Sequence, residues 1–271
     1  MSPAGSEHGL GEELLRLAVN VAHEAGELIV ARRRRSVELA GTKSTLTDVV
    51  TEADRESETL IRSRLRAARP DDAVLGEEAG PTLGSSGVTW VVDPIDGSVN
   101  YLYGWPVFSV SIAAEVDGRV VSGVVHNPSS GETWTASLGA GAHLDGAPIR
   151  ATTQDRLDLA LIATGFGYAA SRRAAQADTL RRVIVEVRDI RRGGSASLDL
   201  CNVATGRCDG YYERGLNPWD RAAGALIARE AGAQVGGPHG APESEVLTIA
   251  AGPALFDALH DLLVAAGAAE G

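Results

Sequence analysis

The spacing of apolar residues changes character near residue 152, and this change restricts the chain to a mixed architecture. Between residues 88 and 144, short apolar runs are separated by turn residues such as Asp117-Gly118 and Asp145-Gly146, which predicts a meander of antiparallel strands. After residue 152, runs of strand length alternate with helical stretches, which is typical of an α/β layer. We therefore predict an α+β half, residues 1–152, joined to an α/β half, residues 153–271.

The same periodicity predicts the individual elements. A long amphipathic helix is expected over 12–34, and a second helix over 52–68 ends before Pro70. Further helices are predicted over 171–187, 195–205, 219–231 and 254–266. Strands are predicted over 47–51, 74–78, 90–93, 108–116, 120–126, 133–136, 160–164, 188–192, 209–213 and 246–250.

Composition narrows the class of protein. The formal net charge of −11 argues against direct binding of nucleic acid and suits a chain that gathers carboxylates around a cation, so we expect a metal ion and a small anionic molecule as partners. Cys201 and Cys208 form no CxxC pair, so we expect buried free thiols. No stretch reaches the roughly 18 apolar residues that span a bilayer, and the acidic N-terminus lacks a signal core. We predict a cytoplasmic protein without membrane contact.

Lys43 is the only lysine among 25 basic residues, which leaves 24 arginines. A chain that uses arginine almost everywhere keeps lysine either by chance or because a guanidinium does not serve at that position. A compact ammonium group can approach a crowded anionic site that the wider guanidinium fork cannot enter. Lys43 is therefore a candidate catalytic-site cation, and both interpretations stay open.

The segment Asp93-Pro94-Ile95-Asp96-Gly97-Ser98 follows the apolar run 90–92 directly. Two carboxylates three residues apart, with Pro between them and Gly behind, can point several hard oxygen ligands at one place, as Mg²⁺ requires. An EF-hand is excluded because its bidentate Glu would fall at Gly104, and the Asp-x-x-Asp spacing differs from the Asp-x-Asp of phospho-aspartate phosphatases. The remaining alternative is a capping turn whose carboxylates bind only backbone amides.

Three further carboxylates are candidates for the same site, and two of them, Asp220 and Asp54, have ordinary structural interpretations when each is taken alone. Glu77 follows Gly76 at the end of a predicted strand and can reach a metal held by Asp93. Asp220 lies in the first turn of a helix that Asn217 caps, where an acidic residue commonly complements the helix dipole. Asp54 likewise lies near a helix start.

Taken together, these residues resemble the inositol monophosphatase family over nearly the whole chain. The resemblance rests on Lys43, the segments 48–54, 76–78, 90–100 and 193–196, Glu213 and 219–220, in matching order and rough spacing. It implies a layered αβαβα sandwich of the sugar-phosphatase type, combining α+β and α/β layers. It also implies a Mg²⁺-dependent phosphatase that hydrolyses its substrate by direct attack of a metal-activated water, without a covalent intermediate.

The resemblance further assigns roles by position. Two or three Mg²⁺ ions are implied, the first held by Glu77, Asp93 and the Ile95 carbonyl, the second by Asp93, Asp96 and Asp220, and a weaker third sharing Glu77. The implied catalytic residues are Asp54, Ser98, Glu77 and Lys43. The implied substrate-binding residues are Asp93, Gly97, Ser98, Gly194, Ser195, Ala196, Glu213 and Asp220. Ser98 departs from the family, which usually has Thr there, so its hydroxyl lacks the methyl group that limits χ1.

The implied substrate is a phosphate monoester, with inositol 1-phosphate first because an acidic Glu213 suits vicinal hydroxyls. Histidinol phosphate is the alternative with the same metal site, and fructose 1,6-bisphosphate or other sugar phosphates remain as secondary substrates. A different class of function, a partner of the transcription machinery, is also open. The resemblance implies a homodimer and lithium sensitivity through competition at a magnesium position.

Overall fold

A computed structural model describes residues 3–34, 39–42 and 49–270. The helices in this part of the chain are α1 (Pro3–Arg33), α2 (Glu52–Ala68), α3 (Ser98–Tyr103), α4 (Ala170–Val183), α5 (Ala196–Ala204), α6 (Pro218–Glu230) and α7 (Pro253–Ala265). The strands of the first half are β1 (Leu39–Thr42), β2 (Val49–Thr51), β3 (Ala73–Gly76), β4 (Gly80–Thr82), β5 (Val88–Asp96), β6 (Ser109–Val116), β7 (Arg119–Asn127), β8 (Glu132–Ser137), β9 (Ala142–Leu144) and β10 (Ala147–Pro148). The later strands are β11 (Leu161–Thr164), β12 (Asp189–Arg191), β13 (Gly210–Glu213), β14 (Gln234–Gly236) and β15 (Thr248–Ala251).

The strands form two large sheets and a small antiparallel pair, β1–β2. The first large sheet has eight strands in the order β10-β9-β8-β7-β6-β5-β3-β4, and the predicted antiparallel meander is confirmed from β5 to β10. Only the β3–β5 pair of this sheet is parallel. The second sheet has five strands in the order β12-β11-β13-β15-β14, with β11 parallel to both of its neighbours.

Five layers result, and the predicted αβαβα sandwich is confirmed. Helices α1 and α2 pack on one face of the eight-stranded sheet, and α5 and α6 pack on its other face. The same α5–α6 pair contacts the five-stranded sheet, whose far side is covered by α7 with α4 beside it. The middle helical layer is therefore shared by both sheets.

Close packing of α6 on the first sheet depends on small residues. A Cβ atom built on Gly123 of β7 would lie 3.0 Å from Ala223 Cα, so the strand and the helix meet almost backbone to backbone. Around this contact, buried apolar side chains from both sides form one cluster, among them Val91, Trp134 and Ile227. Burial of this surface fixes α6, and hence its first residues, relative to the ends of β3 and β5.

Some predicted boundaries are wrong. Helix α4 ends at Val183 rather than at residue 187, because the chain turns there and leaves Ile184 and Val185 exposed. Strand β14 was not predicted, since Gln234–Gly236 is too short and too polar to show an alternating pattern. Helix α1 begins at Pro3, earlier than the predicted residue 12. The division at residue 152 stays a prediction. Helices α5 and α6 belong to the second half of the chain but cover the first sheet, so the two halves share one layer.

In the described part of the chain, no helix is both long and apolar enough to cross a membrane. Cys201 and Cys208 are both buried and unbridged, as predicted.

Candidate active site

The end of β5 carries the motif that the sequence singled out. The pairing of β5 with β6 shifts register between Asp93 and Asp96, so the strand bulges where the two carboxylates leave it. The Ile95 N–H donates to Asp93 Oδ1 at 3.0 Å and stabilises the bend. Gly97 follows with φ of 96°, and a Cβ there would lie 3.0 Å from Val107 O, so both its conformation and its surroundings require glycine.

Six carboxylates line one cavity of about 500 Å³, and four of them are the predicted metal ligands, the other two being Glu213 and Glu245. Glu77 comes from the turn after β3, Asp93 and Asp96 from β5, and Asp220 from the first turn of α6. Ile95 lines the same cavity. The structure thus brings together all five residues predicted to hold metal, although they come from three separate elements.

The electrostatics of this cavity are unfavourable for the carboxylates alone. Burial, followed by the negative charges of Glu77 and Asp96, raises the pKa of Asp220 well above its usual value. Burial also raises the pKa of Asp96, and hydrogen bonds from Ser197 and Ser195 oppose this rise. Removing several like charges from water is costly without a counter-charge, so the cavity favours a bound cation.

The donor set fits Mg²⁺ in type, since every candidate ligand is a hard oxygen. Within the described residues, however, no three Asp, Glu, His or Cys side chains are close enough together to form a ready-made metal cage. Mg²⁺ keeps several of its waters and commonly takes only one or two protein carboxylates together with substrate phosphate. Carboxylates spaced around a cavity meet that requirement, whereas a closed cage would not.

Asp96 and Asp220 are each held through one oxygen. Asp96 Oδ2 accepts from Ser195 Oγ at 2.7 Å, from Ser197 N at 2.8 Å and from Ser197 Oγ at 2.5 Å. Asp220 Oδ2 accepts from Asn217 N at 2.6 Å as part of the α6 capping box. These bonds fix the orientation of both carboxyl groups, so the second oxygen of each has a defined position.

Asp54 and Ser98 form a hydrogen-bonded pair beside the carboxylates. Ser98 Oγ lies 2.8 Å from Asp54 Oδ1 and 3.0 Å from Ile95 O, and both are acceptors for its hydroxyl proton. Asp54 Oδ2 in turn accepts from Thr51 N at 2.8 Å and from Thr51 Oγ1, which closes the capping box of α2. Asp54 is fully buried, whereas Ser98 lines the cavity. Asp54 therefore both caps α2 and lies next to the cavity.

Most of the predicted substrate-binding residues line this same cavity. Gly194, Ala196 and Glu213 line the cavity together with Gly97 and Ser98. Burial raises the pKa of Glu213 to about 7, while donation from Tyr211 Oη at 2.8 Å and the positive charge of Arg192 oppose the rise. Ser195 is buried behind Asp96 and caps α5, so the structure gives it a supporting position, and its contact with substrate stays a prediction.

Glu58 is a residue that sequence reasoning missed. Its buried carboxylate accepts from Glu78 N at 2.7 Å and from Ala79 N at 3.0 Å, and it pairs with Arg62 Nε at 2.7 Å. It therefore holds the turn that presents Glu77. The only available signal was an i,i+4 Glu–Arg pair on α2, which from sequence is indistinguishable from a solvated pair. Lys43 lies outside the described residues.

The chain is similar to known proteins over most of its length. A family model described as the inositol monophosphatase family matches residues 11–268. An inositol-1-monophosphatase of Mycobacterium leprae is 45% identical over 271 aligned residues, covering 92% of this chain and 92% of that protein. The Nus factor SuhB of Vibrio cholerae is 40% identical over 82% of this chain and 84% of that protein. The crystal structure of the extragenic suppressor protein suhB from Bartonella henselae superimposes with a TM-score of 0.87 at 36% identity, covering 93% of this chain and 98% of that one.

Proposed function

This chain belongs to the inositol monophosphatase family and is a phosphatase, and from that premise we propose that it releases phosphate from inositol 1-phosphate with Mg²⁺ as cofactor. The observation that carries the proposal is the convergence of four carboxylates on one cavity, with the Asp54–Ser98 pair at its edge. Carboxylates supply the cation site, and the pair supplies the acid–base group that hydrolysis of a phosphomonoester needs.

Glu77, Asp93, Asp96, Asp220 and the Ile95 carbonyl would hold two or three Mg²⁺ ions. When bound, the ions polarise the attacking water, stabilise the leaving alkoxide and neutralise the phosphate charge. Hydrogen bonds from Ser195 and Ser197 support this role because they hold Asp96 Oδ2 and leave Oδ1 for the metal. The proposal also includes competition by lithium at one of these positions, a homodimer and a cytoplasmic location.

The chain's own residues orient the nucleophile. Because the Ser98 hydroxyl donates its proton to Asp54 or Ile95 O, its lone pairs are available to accept from a water in the cavity. That water is then held in one orientation, and Asp54 is placed to receive a proton through Ser98. The backbone amides of Gly97 and Ser98 would donate to the phosphate oxygens.

The polyol end of the substrate would lie against Glu213 and Ala196. Glu213 is fixed by Tyr211 and faces the cavity, where a carboxylate can accept from two adjacent hydroxyl groups. Histidinol phosphate, the competing substrate, carries a cationic amine and an imidazole in place of those hydroxyls. We place inositol 1-phosphate first because its ring presents adjacent hydroxyl groups to Glu213; a carboxylate also attracts the histidinol amine, so the two substrates are compared directly.

The test is phosphate release from inositol 1-phosphate and from histidinol phosphate, measured side by side in magnesium and in EDTA. We expect magnesium-dependent release that favours inositol 1-phosphate by about tenfold in kcat/KM, which corresponds to about 1.4 kcal/mol. Asp93→Asn is the inactive control. The reverse preference would overturn the substrate assignment, and release in EDTA would overturn the metal assignment.

A second candidate role rests on the likeness to the Nus factor SuhB of Vibrio cholerae. In this role the chain would act as a protein partner of the transcription machinery, with catalysis incidental. The role is supported if an Asp93→Asn chain, inactive as a phosphatase, still restores growth to a deletion strain. It is excluded if restoration requires turnover.

A further inference from the structure

Three backbone segments from different parts of the fold meet at the edge of the cavity without side chains between them. A Cβ atom built on Gly97 would lie 3.0 Å from Val107 O and 3.1 Å from Gly194 O. Gly97, Val107 and Gly194 belong to the end of β5, the loop before β6 and the loop before α5. These three segments therefore approach one another at backbone distance.

Carbonyl oxygens from two of these segments converge, and Asn100 of α3 supplies the donors that they need. Asn100 Nδ2 donates to Val107 O at 2.7 Å and to Gly193 O at 2.9 Å. A carboxamide carries two N–H groups, so each proton has one acceptor. Because both partners are carbonyl oxygens, only the NH₂ end of the side chain can face them.

The needs of α3 itself do not explain an asparagine at this position. Helix α3 spans only six residues, Ser98–Tyr103, and asparagine ranks well below alanine and leucine in helix propensity. The two acceptors of the Asn100 side chain lie 7 and 93 residues away along the chain, so this side chain does not cap its own helix. Its carboxamide instead ties α3 to the loop before β6 and to the second half of the fold.

The segments tied in this way would contact different ends of the proposed substrate. The turn 97–98 would bind the phosphate, whereas Ala196 would contact the polyol. Two successive glycines, Gly193 and Gly194, precede Ala196, and Gly194 adopts a left-handed φ of 88°. Hydrogen bonds to Asp96 hold this segment from residue 195 onward. The bond from the carboxamide to Gly193 O therefore anchors the part of the segment that lies next to the turn 97–98.

We propose that Asn100 is a positioning residue that sets the distance between the turn 97–98 and the segment 194–196, and thereby adapts the site to phosphate esters that contact both. An ester that is bound at both ends loses rate steeply when the two surfaces are misplaced. An ester that contacts only the turn 97–98 does not depend on this distance. This inference rests on the proposed phosphatase function and adds a residue that determines its substrate preference.

The kinetic test compares inositol 1-phosphate with p-nitrophenyl phosphate, whose leaving group offers no hydroxyl groups to the segment 194–196. Asn100→Leu keeps the approximate size of the side chain and adds no charge, but removes both donors. We expect this variant to lower kcat/KM for inositol 1-phosphate by about 30-fold and for p-nitrophenyl phosphate by at most about threefold. Asn100→Gln keeps the carboxamide on a longer side chain and should give an intermediate loss, for inositol 1-phosphate alone. Equal losses on the two substrates overturn the proposal.

The matched control is Asn127→Leu, because Asn127 is also a buried asparagine that bonds to the loop before β6. Its Nδ2 donates to Pro106 O at 3.4 Å, and its Oδ1 accepts from Ser129 N and Ser130 N in the turn after β7. This variant should lose stability but should change kcat/KM for the two substrates by the same factor. If Asn100→Leu does not fold, Asn100→Gln is compared with the same control.

Hydrogen exchange separates failure of this inference from failure of the proposed function, because it needs no substrate. In Asn100→Leu, the backbone amides of the segment 192–196 should exchange faster by about tenfold or more, whereas Asn127→Leu should leave them unchanged. Unchanged exchange of this segment in Asn100→Leu overturns the proposal, even if the wild type hydrolyses inositol 1-phosphate. If the wild type hydrolyses only p-nitrophenyl phosphate, the proposed substrate is wrong, and the exchange of this segment still decides whether Asn100 positions it.

Discussion

At the residue scale, the hydroxyl of Ser98 illustrates how a single side chain receives its direction from the fold. Asp54 Oδ1 and Ile95 O accept its proton from one side, and Thr51 holds Asp54 in place from behind. Serine lacks the γ-methyl that restricts χ1 in threonine, so these hydrogen bonds supply much of the orientation.

Replacing Ser98 by alanine removes the group that orients the attacking water. We expect kcat to fall by about 10²–10³-fold, since the loss is that of an acid–base relay. The free energy of unfolding should also fall by about 1–3 kcal/mol, because the buried Asp54 Oδ1 loses this donor. Ser98→Thr, which restores the methyl group, should keep or slightly raise kcat. Steady-state kinetics on inositol 1-phosphate measure both, and a clearly lower kcat for Ser98→Thr would contradict the orientation argument.

Glu58 acts on the site through the backbone that it holds. Its two carboxylate oxygens accept from the amides of Glu78 and Ala79, so a glutamine there would present an NH₂ group to one of these donors. We expect Glu58→Gln to loosen the turn that carries Glu77 and to weaken Mg²⁺ binding by about tenfold. Calorimetric titration of Mg²⁺ checks this independently of turnover.

The matched control for Glu58 is Glu56→Gln on the same helix, since Glu56 forms an ion pair with Arg32 at the surface. That variant should bind Mg²⁺ as the wild type does. A Glu58→Gln chain with normal Mg²⁺ affinity but reduced thermal stability would assign Glu58 a purely structural role.

How far the site could be predicted from sequence depends on how local each contact is. Asp93 and Asp96 share one turn, so their spacing alone indicated a metal site. The support of Asp96 by Ser197, and of the Glu77 turn by Glu58, joins residues far apart in the chain, and no periodicity encodes such a pairing. Glu77 was placed near Asp93 by its position at the end of a predicted strand, whereas Asp220 was joined to the site by the family resemblance rather than by its own pattern.

At the element scale, the packing of α1 on β7 encloses a histidine pair. His126 is buried under Gly26 of α1, where a Cβ would lie 2.7 Å from the His126 ring. His126 Nδ1 and His23 Nε2 each lie 3.0 Å from Thr133 Oγ1. Burial, and then the neighbouring His23, lower the pKa of His126 to about 4, although Asp145 and the Glu132 backbone oppose this.

This shift predicts acid sensitivity of the α1–β7 contact. Because the folded pKa is lower than the usual 6.5, the stabilisation is fully present above pH 6.5 and is lost as the pH falls toward 4. We expect His126→Gln to flatten the decline in free energy of unfolding between pH 6.5 and 4 by on the order of 3 kcal/mol at most. Urea unfolding at several pH values measures this, with His143→Gln as the control that should follow the wild-type slope.

The bounds of an element were predictable where local capping or helix-breaking residues set them. They were not predictable where tertiary contacts set them. Helix α2 is predicted without error over Glu52–Ala68, because Thr51 and Pro70 mark its ends. Helix α4 stops at Val183 because the chain must return to β12. The residues that follow Val183 include no Gly or Pro that would predict this turn. Strand β14 exists because β15 offers it an edge.

At the scale of the whole molecule, the site joins layers that the sequence keeps far apart. The turn after β3 and the end of β5 belong to the first sheet, whereas Asp220 arrives on a helix of the middle layer. Folding therefore brings like charges together, and the free energy for this comes from apolar burial on both faces of the sheets.

Asp220→Asn tests this balance. Asparagine keeps an oxygen for the Asn217 amide but removes one negative charge, so in EDTA we expect the free energy of unfolding to rise by about 1–2 kcal/mol at neutral pH. The raised pKa of Asp220 means that the wild-type penalty grows as the pH rises, so the gain should shrink in acid. Thermal unfolding across pH, with and without Mg²⁺, measures it.

The Mg²⁺ dependence in the same experiment shows which result would contradict the role of Asp220. Saturating Mg²⁺ should stabilise the wild type, by about 2.7 kcal/mol at one hundred times its dissociation constant, and should stabilise Asp220→Asn far less. If Asp220→Asn gained as much from Mg²⁺ as the wild type does, Asp220 would not belong to the cation site.

The shared middle layer also has a consequence for synthesis on the ribosome. The eight-stranded sheet is complete once β10 has emerged, but α5 and α6, which cover its second face, are translated only after β11, α4 and β12. Until then the nascent chain presents Val91, Val125 and Trp134 on an uncovered surface. Chaperone dependence and sensitivity to translational pausing should therefore concentrate in the interval between β10 and α6.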